Sequence, residues 1–133
     1  MAGRVAGKVV LLTGGAMGLG KAATKALLAE GATVIITDID EAAGRATAAE
    51  LGCDYLHQDV TDWARWQAII AEVEASHGQL DVLVNNAAIT VFGSIADISP
   101  EDFRRCYTVD VDSIFMGCKA AIPLMAKSGG GSI

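Results

Sequence analysis

The chain has 133 residues and a mass of 13.7 kDa, room for one domain and little more. Hydrophobic residues make up 52% and charged residues 20%, with a mean hydropathy of +0.40, which excludes a disordered polar tail. The net charge of −6 and the lack of any basic tract argue against nucleic acid as a partner.

The first apolar run is Val9-Val10-Leu11-Leu12. It follows Arg4 and Lys8 and is too short for a signal peptide or a membrane span, so no membrane partner is expected. A glycine-rich turn leads into a helical pattern, with Leu19, Ala22, Ala23, Ala26 and Leu27 on one face. Gly31 closes it, and Val34-Ile35-Ile36 forms the second strand. Residues 41–51 are alanine-rich and predict a helix ending at Gly52. A short third strand lies around Tyr55-Leu56. Trp66, Ile69, Ile70 and Val73 repeat the helical spacing before Gly78, and Val82-Leu83-Val84 is the fourth strand.

Ser99-Pro100-Glu101-Asp102 starts a further helix: serine accepts from free N–H groups, proline lacks one, and the acids suit the positive end of the dipole. Helical character runs on toward Met125, with a break near Thr108 and a weakened or kinked end at Pro123. Ser128-Gly129-Gly130-Gly131 is a turn, and Ser132-Ile133 reads as the start of another strand. Strands without polar alternation suit a parallel sheet covered on both faces. The order βαβαβαβα predicts an α/β layered fold with right-handed crossovers, with no internal domain boundary. Cys53, Cys106 and Cys118 form no CxxC pair and no metal-ligand spacing. They read as reduced packing thiols of a cytoplasmic protein.

The strongest motif is Thr13-Gly14-Gly15-Ala16-Met17-Gly18-Leu19-Gly20, between the first strand and the first helix. A helix N-terminus offers unpaired N–H groups and partial positive charge to a pyrophosphate, and glycines let it approach. Alone, such a stretch also fits a structural turn. Asp38 ends the second strand, where a carboxylate accepts from ribose hydroxyls and repels a 2′-phosphate. It also fits a helix cap, but Asp40 is better placed for residues 41–51. No arginine flanks the site, where Met17 and Ile39 stand, so the pattern selects NAD over NADP.

With Asp59-Val60 and Asn85-Asn86-Ala87-Ala88 added in order, the chain resembles the classical short-chain dehydrogenase/reductase family over its whole length. The glycine stretch matches that family's TGxxxGxG, and the asparagine pair with its two alanines is similar to its NNAG with Ala88 for glycine. The resemblance implies a Rossmann-type doubly wound parallel sheet of which residues 1–133 are the N-terminal part. In that sheet the strand order is 3-2-1-4-5-6-7. Gly14, Gly18 and Gly20 would shape the turn, and Met17 and Leu19 would line the cofactor. Asp59 would accept from the adenine amino group, and Val60 would meet the ring through its backbone. Asn86 and Ala87 would border the adenosine ribose, with Ala88 beyond it. Asn85 reads as a turn residue tying strand ends together.

The family's chemistry uses a tyrosine with a lysine four residues later, a serine and an asparagine. The lysine's charge lowers the tyrosine pKa toward working pH. This chain has no such pair, since Asp59 follows Tyr55 and Val111 follows Tyr107 at that spacing. Ser132 is not the family's serine, which comes several residues later. Asp110 stands where the family carries its asparagine. Its main-chain carbonyl could still hold a relay water, but its side chain cannot donate an amide hydrogen bond.

His57 and His77 read as surface or helix-end residues, and Trp63 and Trp66 as packing. The segment Thr90–Ile98, beside the substrate in family members, is read as offering no charged handle, which favours an uncharged alcohol or carbonyl. With a fifth strand missing, Val82–Val84 would be an apolar sheet edge, so poor stability, aggregation or dependence on a partner is expected. The family pairs through the helix matching residues near 105–125, which implies a homo-oligomer, dimer or tetramer, at full length. Two readings are open. One is an NAD-dependent oxidoreductase represented by its N-terminal half and without turnover alone. The other is a non-catalytic dinucleotide-binding or assembly module.

Overall fold

The computed structural model describes residues 3–133. Four parallel strands form one sheet: β1 (Val9–Thr13), β2 (Thr33–Asp38), β3 (Asp54–His57) and β4 (Val82–Val84). Their order is β3-β2-β1-β4, the first part of the expected series. Between them lie α1 (Gly18–Ala29), α2 (Glu41–Leu51) and α3 (Trp63–His77). After β4 come α4 (Pro100–Tyr107), a single π-helical turn (Thr108–Asp112) and α5 (Ser113–Lys127).

Alternation along the strands sends side chains to two cores. Leu11, Ile35 and Leu83 pack on one face with Trp66 and Ile69 of α3 and Leu124 of α5. Val10, Leu12, Val34 and Ile36 pack on the other with Ala48 of α2 and with Ala23 and Leu27 of α1. Both faces are thus covered, and this is why β1 is apolar at nearly every position. Trp66 is fully buried, and its indole Nε1 donates to the Val60 carbonyl at 2.8 Å. Trp63 is more exposed, with the Lys119 ammonium 5.6 Å from its ring centroid.

Helix ends obey local chemistry. Asp40 accepts from Ala43 N, Asp62 from Arg65 N and Ser99 from Asp102 N, capping α2, α3 and α4. Gly52 and Gly78 close α2 and α3 at φ +72°, a conformation that costs glycine nothing. The break expected near Thr108 is the π-helical turn. Helix α5 runs through Pro123 to Lys127, with Leu124 and Met125 still buried beyond the proline. Packing on α3 and the sheet outweighs the one lost backbone bond.

Two expectations need correction. The first helix does not bury the whole stripe from Leu19 to Leu27: Leu19 is 84% exposed, and Gly20 and Thr24 are the residues buried there. The outer edge of β4 is not wholly open either. Ser132 bridges Val82 in parallel, Leu83 N donates to Ser132 O at 3.0 Å, and Ser132 N donates to Asp81 O at 2.9 Å.

Among the described residues no helix is long and apolar enough to cross a membrane. No group of three or more His, Cys, Asp or Glu among them could hold a metal ion.

Candidate functional site

The site grows from the carboxyl ends of the strands. After β1 the chain turns through Gly14 to Met17 and enters α1. Unlike α2, α3 and α4, α1 has no side-chain cap, and its first turn holds no acid. Among the described residues, the free N–H groups and the positive end of the dipole therefore have no side-chain cap and no acid in the first turn to meet their charge.

The turn is pinned from two sides. From β2, Gly15 N donates to Thr37 O at 3.0 Å and Ala16 N to Asp38 Oδ2 at 3.1 Å. Asp38 Oδ1 accepts from Asp40 N at 3.0 Å, so this carboxylate joins the glycine turn to the start of α2. From the segment after β4, Asn86 Nδ2 donates to the carbonyls of Thr13 and Gly14 at 3.0 and 3.1 Å. Thr13 Oγ1 in turn accepts from Asn86 N and Ala87 N at 3.1 and 3.0 Å. The residue that ties the strand ends is thus Asn86, not Asn85. Asn85 instead packs toward α5, with Nδ2 3.9 Å from Cys118 Sγ.

Close packing explains the glycines. A Cβ on Gly14 would stand 2.9 Å from Ala87 Cα and 3.0 Å from Asn86 Nδ2. A Cβ on Gly20 would strike the Gly14 carbonyl. At Gly18 a Cβ would meet no atom within 4 Å, so space is open over the helix start. Two glycines let the turn fold on itself, while the third borders open space over the N–H groups.

A cleft of about 330 Å³ runs along this edge of the sheet. Of the predicted residues, Gly14, Met17, Asp38, Asp59 and Val60 line it, and so do Asn86, Ala87 and Ala88. Gly18 and Leu19 lie outside it on the first turn of α1, and Gly20 is buried beneath the turn. Asp59 Oδ1 accepts from Thr61 N and Thr61 Oγ1 at 2.9 and 2.7 Å. Ile39, Gln58, Ile89 and Val109 complete the wall and carry no motif that could mark them.

Asp110 does not line the cleft. It sits on the π-helical turn, and its Oδ1 accepts from Ile89 N at 2.9 Å. That contact needs an acceptor, which a carboxylate supplies as well as an amide oxygen does. Its second oxygen faces Cys106, whose Sγ lies 3.4 Å from both Asp110 Oδ2 and Ile89 O. The hydrogen bond to Asp110, then burial, push the Cys106 thiol pKa up. The four-residue spacing of Cys106 and Asp110 along the helix brings the thiol and carboxylate together, but sequence gives no sign of Ile89, which is 21 residues from Asp110.

The segment 90–98 does contain one charge, contrary to expectation. Asp97 is present, but its Oδ2 accepts from Ser94 Oγ at 2.5 Å within the same turn. The large exposed side chains of this segment are apolar, with Phe92 91% and Ile95 97% exposed. His57 is exposed, and His77 ends α3 with Nε2 3.1 Å from Asp54 Oδ2.

The family model for short chain dehydrogenases matches residues 8–133. The chain belongs to this family. Among short chain dehydrogenases it is 44% identical over 135 residues to 3-beta-hydroxysteroid dehydrogenase of Comamonas testosteroni, covering 100% of this chain and 53% of that one. It is 40% identical over 141 residues to trans-4-hydroxycyclohexanecarboxylate dehydrogenase of Sinomonas cyclohexanicum, covering 98% and 54%. A putative short chain dehydrogenase structure from Pseudomonas syringae superposes with a TM-score of 0.92 at 28% identity, over 100% of this chain and 59% of that one. The chain therefore spans about half the length of the curated relatives it matches.

Proposed function

We propose that the chain binds NAD in the cleft and belongs to an oxidoreductase that interconverts alcohols and carbonyls by hydride transfer. One observation carries this reading: the uncapped start of α1 opens beside the Asp38 carboxylate, on a turn whose Gly14 and Gly20 admit no side chain. The residues fit a dinucleotide. The α1 N–H groups would take the pyrophosphate. Asp38 would accept from the adenosine ribose and repel a 2′-phosphate, and no lysine or arginine lines the cleft to offset that repulsion. The base would lie by Asp59 and Val60, and Asn86, Ala87 and Ala88 would border the sugar and the groups beyond it. Gly18, Leu19 and Gly20 contribute the helix start, and Met17 lines the cleft beside it.

Bound NAD would supply the hydride-accepting ring. Asp110 would hold the Ile89 backbone, and through it the wall of the cleft past Ala88. The sequence holds no tyrosine–lysine pair for the accompanying proton transfer, so the 133 residues alone are expected to bind without turnover. The named relatives act on hydroxysteroids and on a ring alcohol. This supports an alicyclic alcohol or its ketone as substrate, and the apolar segment around Phe92 and Ile95 favours an uncharged one, although the ring alcohol in the second relative's name carries a carboxylate. Phe103, Tyr107, Phe115 and Ile122 leave apolar surface on α4 and α5, which supports a homo-oligomer, and unpaired thiols suit the cytoplasm.

Calorimetric titration with NAD and with NADP tests the proposal. Saturable binding of NAD at least about tenfold tighter than NADP is expected, one unfavourable charge contact being worth that much. Equal or stronger binding of NADP would overturn the cofactor assignment. Binding of neither would remove the dinucleotide reading. NAD binding that persists in a full-length form without oxidation of any alcohol would favour a non-catalytic binding module.

A further inference from the structure

Gln58 is the least explained residue around the cleft. It lies between β3 and Asp59, contributes to the cleft wall and is only 1% exposed. Its backbone N–H donates to Asp38 O at 3.0 Å. Among the described residues its side-chain amide has no hydrogen-bond partner at either Nε2 or Oε1. A buried donor and acceptor both left unmade are costly, and native proteins keep such groups where something else completes them.

The fold indicates what could do so. With the strand order β3-β2-β1-β4, the cleft passes the end of β3, then β2, then the glycine turn after β1. On the dinucleotide reading, the pyrophosphate lies at the turn and the ribose at Asp38. The group beyond Asp38, toward β3, is then the purine. A carboxamide presents one donor and one acceptor side by side. Adenine presents the complement on its N6/N7 edge, and glutamine pairs with that edge through two hydrogen bonds. Hypoxanthine, with a carbonyl in place of the amino group, cannot match it.

We propose that Gln58 is a specificity residue for the nucleotide base: its amide, unpaired in the free protein, turns to meet the adenine edge. This assignment rests on the dinucleotide reading above. Asp59 also faces this end of the cleft, so affinity alone cannot separate the two residues. The discriminating quantity is the change in base preference when only the amide is removed.

The test compares the wild type with Gln58→Met, which keeps the length of the side chain, and with Gln58→Leu. Each is titrated with NAD and with nicotinamide hypoxanthine dinucleotide, and the unfolding midpoint is measured without ligand. The preference for NAD is expected to fall about fivefold or more in both variants, the loss of a two-point base contact. The midpoint without ligand is expected to hold or rise, because two orphaned polar atoms leave the core. An unchanged preference in both variants overturns the role of Gln58. So does a lowered midpoint in both, which would mean that the amide serves the free fold. Failure of the wild type to bind either dinucleotide is a different result and overturns the underlying reading itself.

Discussion

Asp38 does two things with one carboxylate. It holds Ala16 N and Asp40 N, and it sets the charge where a ribose would lie. Asp38→Asn removes the charge and leaves one acceptor for two N–H groups. Its expected outcome is a loss of NAD affinity of about tenfold with a gain for NADP, read by titration of both. Cys106 offers a second test at this scale. Its thiol donates toward the Asp110 carboxylate, and that bond holds its pKa above the ordinary thiol value. The thiolate is therefore scarce at neutral pH, and its fraction grows only as pH rises toward the elevated pKa. Alkylation of Cys106 is expected to be slow at pH 7 and faster in Asp110→Asn, measured by mass spectrometry of the modified peptide. Equal rates in both proteins would show that the carboxylate does not control the thiol.

At the scale of elements, helix starts and core anchors carry the weight. Asp40→Ala removes the cap on α2 and is expected to lower stability by about 1 kcal/mol in denaturant unfolding. Trp66→Ala is expected to cost about 3–5 kcal/mol, since the ring is fully buried between the sheet and α5 and its Nε1 satisfies Val60 O. Most of this level was legible in the sequence. Unbroken apolar runs marked β1, β2 and β4, and Asp40, Ser99, Gly52 and Gly78 marked helix ends through local chemistry. What was hidden depended on contacts distant in sequence. Nothing local distinguishes Asn85 from Asn86 as the tie, because the choice depends on which side chain meets the Thr13 carbonyl across the sheet. Leu19 fits a helical stripe, yet α1 turns its Gly20 and Thr24 inward at that level instead. The wall residues Gln58 and Ile89 come after strand ends, where no periodicity applies.

For the whole molecule, the parallel sheet and its two cores bring the predicted cofactor residues to one edge, whereas Asp110 lies behind that edge. The apolar surface of α4 and α5 is the feature least suited to water. Phe115 is 66% exposed there, and Phe103, Tyr107 and Ile122 add further exposed apolar side chains on the same two helices. Self-association is expected at micromolar concentration, and Phe115→Glu is expected to shift the chain toward monomer in sedimentation velocity without loss of helical signal. A wild-type chain that sediments as a monomer and unfolds in one cooperative transition would contradict the expected dependence on a partner.

The contact between Asn86 and the Thr13 carbonyl spans 73 residues of chain. Such a contact has a large loop-closure entropy and forms late, after α1, α2 and α3 have had time to coil locally. The glycine turn thus acquires its final shape only when β4 docks beside β1. Ligand capture then becomes a clock for the end of folding: on dilution from denaturant, helical signal is expected to return before the ability to take up NAD.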